Sequence, residues 1–285
     1  MSTAILNGAF VGMIYGIFAI GLVVVYRATR VVNFAHGEIG MLGAFVFAEL
    51  WFENGHPMFI ALLAGVAVSV GLGAATEWLV VRPLRDQPRV TMLVATFGLA
   101  GLLLVFASRR YGVQPRFVDP ILEGEGPRLA GLTIKPIQLL ILATALVVLT
   151  GLTLLYNRTS FGLRMRATAI DSYAAGQIGI NTKAVSLASW AIAGALAGVS
   201  AILISSLVVF HVFFMTALLV RGLAAALLGG LTNIHGAFGA GLLLGVVEGG
   251  LGYTVSTPGF VELTIAGLIL VVLLVRPTGL LRTEY

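Results

Sequence analysis

Between Ala184 and Phe210 the chain runs without one charged side chain. About 20 apolar residues, each rising 1.5 Å along a helix, cross the hydrocarbon core of a bilayer, so this stretch can span with residues to spare. Comparable runs recur toward both ends of the sequence, separated by short arginine-bearing loops. The bilayer is therefore the solvent of the whole chain rather than its anchor, and backbone in lipid has to satisfy its own hydrogen bonds as helix. Composition agrees. With 59% hydrophobic and 10% charged residues and a mean hydropathy of +1.03, 285 residues would not stay in solution as a water-soluble domain.

Apolar runs lie near 6–26, 37–52, 58–81, 91–107, 136–156, 184–210, 214–231, 236–254 and 260–275. The expected fold is all-α, a polytopic transmembrane bundle of about nine spans forming one domain over 1–285. No Lys or Arg precedes Arg27, so the first run lacks the basic start of a cleaved signal peptide and reads as a permanent span. Arg82, Arg85 and Arg89 crowd one loop, and Arg158, Arg164, Arg166 and Lys183 another. Positive-inside bias places both in the cytoplasm, together with Arg27, Arg30, Arg276 and Arg282. The loop 108–135 then falls outside; its prolines and the acids Asp119, Glu123 and Glu125 suggest a folded extracytoplasmic cap. Arg221 interrupts the seventh run, which leaves open a re-entrant pair of half-helices there.

The basic balance, with a pI near 9.9, is accounted for by topology and gives no reason to expect nucleic acid. Zero cysteines exclude disulfides, thiolate chemistry and Cys-ligated metals, and no HExxH pair is present, so neither a metal site nor a catalytic cluster is expected. Gly8, Gly12 and Gly16 share one helix face, as do Gly194 and Gly198, a spacing that brings helix backbones together where lipid gives no hydrophobic drive. Asn33–Ala44 and Thr232–Gly241 both place Asn, His and Gly ahead of a glycine-spaced helix, the pattern of an internal repeat with a pathway at its interface. Ionised groups inside spans are costly and usually face the bundle interior or water. Glu38, Glu77 and Glu248 lie deepest, and Glu49 and Glu262 sit nearer the headgroups. The candidate translocation-path residues are Asn33, His36, Glu38, Gly40, Asn233, His235 and Glu248.

A phosphate-binding Gly-x-x-x-x-Gly-Lys-Ser/Thr loop needs a lysine in glycine context, yet Lys135 follows Ile134 and Lys183 follows Thr182. The chain either runs on an ion gradient or borrows its ATPase. The segment 157–183 is longer than a connector needs, with an Ala-rich helical stretch near 166–178 and a Gly-Ile-Asn turn. Arg166-Ala167-Thr168-Ala169, then Ala175 and Gly179-Ile180-Asn181, resemble the cytoplasmic coupling segment of permease subunits in branched-chain amino acid ABC importers, the LivH type. Asn33-Phe34-Ala35-His36-Gly37-Glu38, Gly229-Gly230, Gly236-Ala237 with Glu248 behind, and Arg276-Pro277-Thr278-Gly279-Leu280 carry the same resemblance in order. In place of the family's Gly-Gly-x-Gly-Ser-x-Pro-Gly-Ala, however, this chain has Thr232, Asn233 and His235, a stiffer and more polar loop.

The resemblance implies a permease subunit that is not itself an enzyme and binds no cofactor, ATP being used by a partner. It implies a second permease subunit, homologous or identical, two cytoplasmic ATP-binding subunits and an extracytoplasmic solute-binding protein, in lipid at the inner membrane of a prokaryote. Branched-chain or other hydrophobic amino acids would be the cargo. Arg164, Arg166, Ala167, Ala175, Gly179, Ile180 and Asn181 would couple to the ATPase. The alternative is an ion-gradient-driven transporter or channel for a small polar solute such as an amide or urea.

Overall fold

Each of the nine apolar runs contains one helix. A computed structural model describes residues 1–116, 121–122, 124, 126–129, 132–254 and 259–275, so Asp119, Glu123, Glu125, Arg276 and Arg282 lie outside the described residues, as does the Glu262 side chain. The order is α1 (Ser2–Thr29), α2 (His36–Ala48), α3 (Met58–Thr76), α4 (Arg89–Tyr111), a short hairpin, α5 (Pro136–Arg158), α6 (Ser160–Ile170), α7 (Ser172–Gln177), α8 (Thr182–Ser205), α9 (Phe214–Gly229), α10 (Ile234–Thr254) and α11 (Phe260–Val275). A π-helical turn extends α2 over Glu49–Glu53 and another extends α3 over Glu77–Val81. The hairpin pairs Arg128–Leu129 with Leu132–Thr133 antiparallel. Among the described residues, six helices are long and apolar enough to cross a bilayer.

The most apolar windows of α1 and α8 are 78% and 67% buried, whereas those of α3, α4 and α5 are 22% buried. α1 and α8 are thus the core, and the outer helices turn Val94, Phe97, Phe106 and Val147 outward. Glycine sets the closest approach. Along the antiparallel α1–α10 seam, Gly8, Gly12 and Gly16 meet Gly245, Gly241 and Phe238 backbone to backbone; a Cβ on Gly8 would lie 2.2 Å from the Gly245 carbonyl oxygen. Gly194 meets the Ser69 backbone of α3, and Gly198 leaves room for the Ser69 side chain. With no side chain between them, two helices gain dispersion contact along their whole backbones, the main source of association in lipid.

The two ends of the bundle are distinct. At one, Arg30 Nη2 donates to the Ala169 carbonyl at 2.6 Å, and Arg82 and Arg85 reach the fully buried Glu77 at 3.2 and 3.5 Å. At the other, Arg116 pairs with Glu53 at 2.6 Å, Arg110 pairs with Glu49, and Gln138 Nε2 donates to Asn7 Oδ1 at 2.7 Å, tying the start of α5 to that of α1. The loops carrying Arg27–Arg30, Arg82–Arg89 and 159–181 therefore share one side.

Three element boundaries differ from expectation. The sixth run stays apolar to Phe210, but α8 ends at Ser205. Val208 N–H donates to the Ile204 carbonyl, and Phe210 pairs through its backbone with Arg116 while its ring is buried, so the apolar signal there comes from irregular chain anchored by Phe210, with Leu207, Val208 and Val209 exposed. The Ala-rich stretch is two helices, because Asp171 Oδ1 accepts from the N–H groups of Tyr173 and Ala174 and caps α7. The run carrying Arg221 is one unbroken helix rather than a pair of half-helices, its 16 residues spanning about 24 Å.

Candidate functional site

α6 follows α5 after the single residue Thr159, whose hydroxyl accepts from the Gly162 N–H at 3.1 Å. Gly162 is required there, since a Cβ would stand 2.3 Å from the Leu155 carbonyl oxygen. Gly162, Met165, Thr168 and Ala169 point into the bundle, a helical 3–4 spacing that seats α6 on its neighbours. Arg164 is exposed; Arg166 and Ala167 are half-buried. Ala175 is buried, and Ile180 N–H donates to its carbonyl at 3.0 Å. Gly179 turns the chain at φ 86°, a conformation costly for any other residue, and Asn181 Oδ1 caps α8 through the Ala184 N–H at 3.0 Å. Three large apolar side chains face outward, Ile170, Tyr173 and Ile178 at 68, 76 and 77% exposed, beside exposed Asp171, Ser172 and Gln177.

Arg30 ends α1 in the left-handed conformation, φ 56°, unusual for a residue with a Cβ. Its N–H still closes onto the Tyr26 carbonyl at 2.8 Å while its side chain reaches the last turn of α6. Arg27, on the same helix end, lies over the Tyr156 ring at 4.6 Å. Beside it a cavity of about 230 Å³ is lined by Arg27, Thr153, Tyr156, Asn157, Arg166 and residues 232–235.

The Asn-His-Gly segments both start helices within the bundle. Asn33 is buried and its Oδ1 accepts from the Ala35 N–H at 3.0 Å; Asn233 Oδ1 accepts from the Gly236 N–H at 3.0 Å. The histidines diverge. His36 is fully buried, edge-on to the Phe18 ring at 4.5 Å and against Gly21, where a Cβ would come within 2.6 Å of its Nε2. His235 is exposed, its Nε2 3.4 Å from the Thr153 hydroxyl. Glu38 is buried, and its Oε2 has no hydrogen-bond partner. Gly40 admits the Ala197 carbonyl, 2.5 Å from where a Cβ would be. The structure thus seats His36 and Gly40 against α1 and α8, with Asn33 buried ahead of them and Glu38 buried on the opposite face of α2; it brings Asn233 and His235 to the cavity near Arg166 and sets Glu248 apart from both.

Glu248 has a partner that residue patterns missed. Arg221 Nε lies 3.0 Å from both Glu248 carboxylate oxygens and Nη2 lies 2.6 Å from Oε1. Tyr15 OH donates to Oε2 at 2.9 Å. Counted from the α9–α10 turn, Glu248 is six residues deeper than Arg221, about 9 Å along the axis. The gap closes because side chains lean toward their own helix N-terminus, and in antiparallel α9 and α10 the two lean together. The signal was available: an arginine inside a span demands an acid within reach.

A bundle whose half-buried charges pair inside it, with one end carrying a loop of two short helices that ends in exposed apolar groups, is that of a polytopic membrane transport subunit. The family described as "Branched-chain amino acid transport system / permease component" matches residues 4–274, and this chain belongs to that family. It is 31% identical to the high-affinity branched-chain amino acid transport system permease protein BraD of Pseudomonas aeruginosa, covering 97% of this chain and 94% of that one. It is 28% identical to LivH of Escherichia coli K12 over 96% and 93%, and to a probable LivH of Methanocaldococcus jannaschii over 89% and 82%. In fold it is similar to PsaBC from Streptococcus pneumoniae, TM-score 0.52 at 12% identity over 97% of this chain and 92% of that one. A metal-chelate type ABC transporter in an inward-facing conformation gives 0.50 at 16% identity over 97% and 85%. The chain is therefore a membrane-embedded permease component of a prokaryotic transport system and not its catalytic part, and the self-powered transporter is set aside.

Proposed function

We propose that this chain is one of two permease subunits of an inner-membrane ABC importer for branched-chain and other hydrophobic amino acids. An extracytoplasmic solute-binding protein delivers the cargo to the end marked by the Glu53–Arg116 pair, and two cytoplasmic ATP-binding subunits supply the ATP hydrolysis. The observation that carries this reading is the family match over nearly the whole length, with relatives named for branched-chain amino acid transport.

The α6–α7 segment, within the 157–183 loop, is the cytoplasmic docking element. A rigid, doubly capped unit with Ile170, Tyr173 and Ile178 exposed buries apolar area when a partner covers it, each such side chain contributing about 1.5–3 kcal/mol. Arg164 adds charge steering that salt weakens. Ala167, Ala175, Gly179, Ile180 and Asn181 keep the shape of the element, and the Arg30–Ala169 bond passes its movement to α1. Around the buried start of α2, Asn33, His36, Glu38 and Gly40 border the translocation path, with Asn233 and His235 at its cytoplasmic mouth. The hairpin loop at 108–135 lies on the delivery side.

The test is uptake by proteoliposomes containing this chain, its neighbouring-gene permease and ATPase partners, and the matching binding protein. Labelled leucine, isoleucine or valine accumulates only with internal ATP and binding protein. Accumulation driven by a proton or sodium gradient without the ATPase would refute the reading.

A further inference from the structure

Among the described charges inside spans, Arg221 and Glu248 form the one pair joined by two nitrogens of a guanidinium and both oxygens of a carboxylate. Packing does not require them. Backbone contact already fixes α10 against α1 at Gly8, Gly12 and Gly16 and against α9 at Gly229 and Gly236, and apolar side chains of equal volume would fill the same space without desolvating two ions. Nor is the pair sealed: the two side chains remain 15% and 22% exposed. The face of α9 beside them is open at Thr216, Ala217 and Val220. An ion pair with an open side is stable inside a membrane against water or a partner subunit, not against lipid tails.

On the importer reading above, we propose that this pair is the intramembrane station for the amino-acid zwitterion, Arg221 taking its carboxylate and Glu248 its ammonium. The substrate carboxylate is the same chemical group that Glu248 now presents to the guanidinium fork, so it replaces Glu248 there with the same bidentate geometry. The released Glu248 carboxylate, still held by the Tyr15 hydroxyl, accepts the ammonium. One pair of opposite charges becomes two, and the net charge inside the bilayer does not change. A free amine or carboxylic acid would leave one charge uncompensated, and a neutral amide or urea cannot displace Glu248 from the fork. The station selects net-neutral zwitterions and ignores side-chain shape. Glu38 does not offer this: among the described residues its Oε2 has no hydrogen-bond partner and no ion pair includes it.

The experiment uses the complete reconstituted importer and labelled leucine. Arg221→Met, Glu248→Gln and the double variant are compared for uptake, for complex yield and for ATP hydrolysis stimulated by loaded binding protein. All three should assemble and hydrolyse ATP while uptake falls about tenfold or more, the size expected for losing a charge-assisted contact. A purely structural pair behaves otherwise: each single variant suffers but the double variant, with no charge left uncompensated, recovers. Uptake by the double variant within about twofold of wild type overturns the proposal.

Should the variants fail to assemble, the otherwise intact importer carrying Thr216→Cys decides, since the natural chain has no cysteine. Millimolar leucine should slow thiol labelling at position 216, whereas isoamylamine and 4-methylpentanoate at equal concentration should not. Equal protection by all three, or by none, overturns the station. A wild type that carries no amino acid refutes the importer reading on which the proposal rests; a wild type and double variant that carry leucine equally well refute the station alone.

Discussion

Replacing Gly245 by alanine puts a methyl group into the α1–α10 seam at its tightest point. A Cβ there would lie 2.3 Å from the Gly8 carbonyl oxygen, 2.4 Å from Gly12 Cα and 2.5 Å from Gly12 N, about 1 Å short of the 3.4 Å at which ordinary contact begins. All three obstacles are backbone, so no rotamer change relieves them and the helices have to separate. Overpacking of this kind costs about 1–3 kcal/mol. Gly239→Ala on the same helix is the control, for nothing lies within 4 Å of its would-be Cβ; it gains helix propensity worth about 0.8–1 kcal/mol. Propensity is common to both, so the difference between them isolates the clash. At 1.4 kcal/mol per tenfold, the folded-to-unfolded ratio should differ by a factor of roughly 5 to 150. Reversible unfolding of the detergent-solubilised chain in mixed micelles, followed by circular dichroism, measures it. Glu248 stands one turn beyond Gly245, so the same separation pulls its carboxylate from the Tyr15 hydroxyl across the seam, and uptake should fall alongside stability. Equal midpoints for Gly245→Ala and Gly239→Ala would refute the reasoning that backbone contact at glycine holds this seam.

Tyr173→Asp with Ile178→Asp should abolish co-purification of the ATP-binding partner while circular dichroism of the bundle stays unchanged; retained partner would show that the exposed face of α7 is not the docking surface. Gly179→Ala forces a Cβ into the left-handed region at φ 86°, costing about 1–2 kcal/mol, which should appear as faster proteolysis of the 171–181 segment. Asn233→Ala removes the side-chain cap on the Gly236 N–H and should destabilise the start of α10 by about 1 kcal/mol, read as faster hydrogen exchange at 234–237. The purified chain alone should hydrolyse no ATP, because neither Lys135 nor Lys183 stands in a phosphate-loop sequence; turnover that survives repurification and responds to mutation of this chain would contradict its assignment as the passive component.

Sequence by itself determined the solvent and the apolar runs that become helices, though not where each helix ends. Length, hydropathy and the absence of charge over runs such as 184–210 leave a chain no alternative to helix in lipid, and this signal is local to each run. The glycine spacing in α1 and α8 named the contact faces for the same reason: residues four apart share a face whatever the rest of the chain does. Tertiary structure decided everything that depends on pairing. Which helix meets Gly8, Gly12 and Gly16, that the chain leaves the helix after Ser205 to seat Phe210, and that Ala175 points inward while Tyr173 points out all follow from neighbours distant in sequence. Of the deep acids, among the described residues Glu77 meets two arginines from its own loop and Glu38 none, and only the lean of two antiparallel helices brings Glu248 to Arg221. A buried charge announces in the sequence that it needs a partner; the partner is chosen by where the helices place it, because the energy of an ion pair depends on ångströms of separation that no one-dimensional pattern carries.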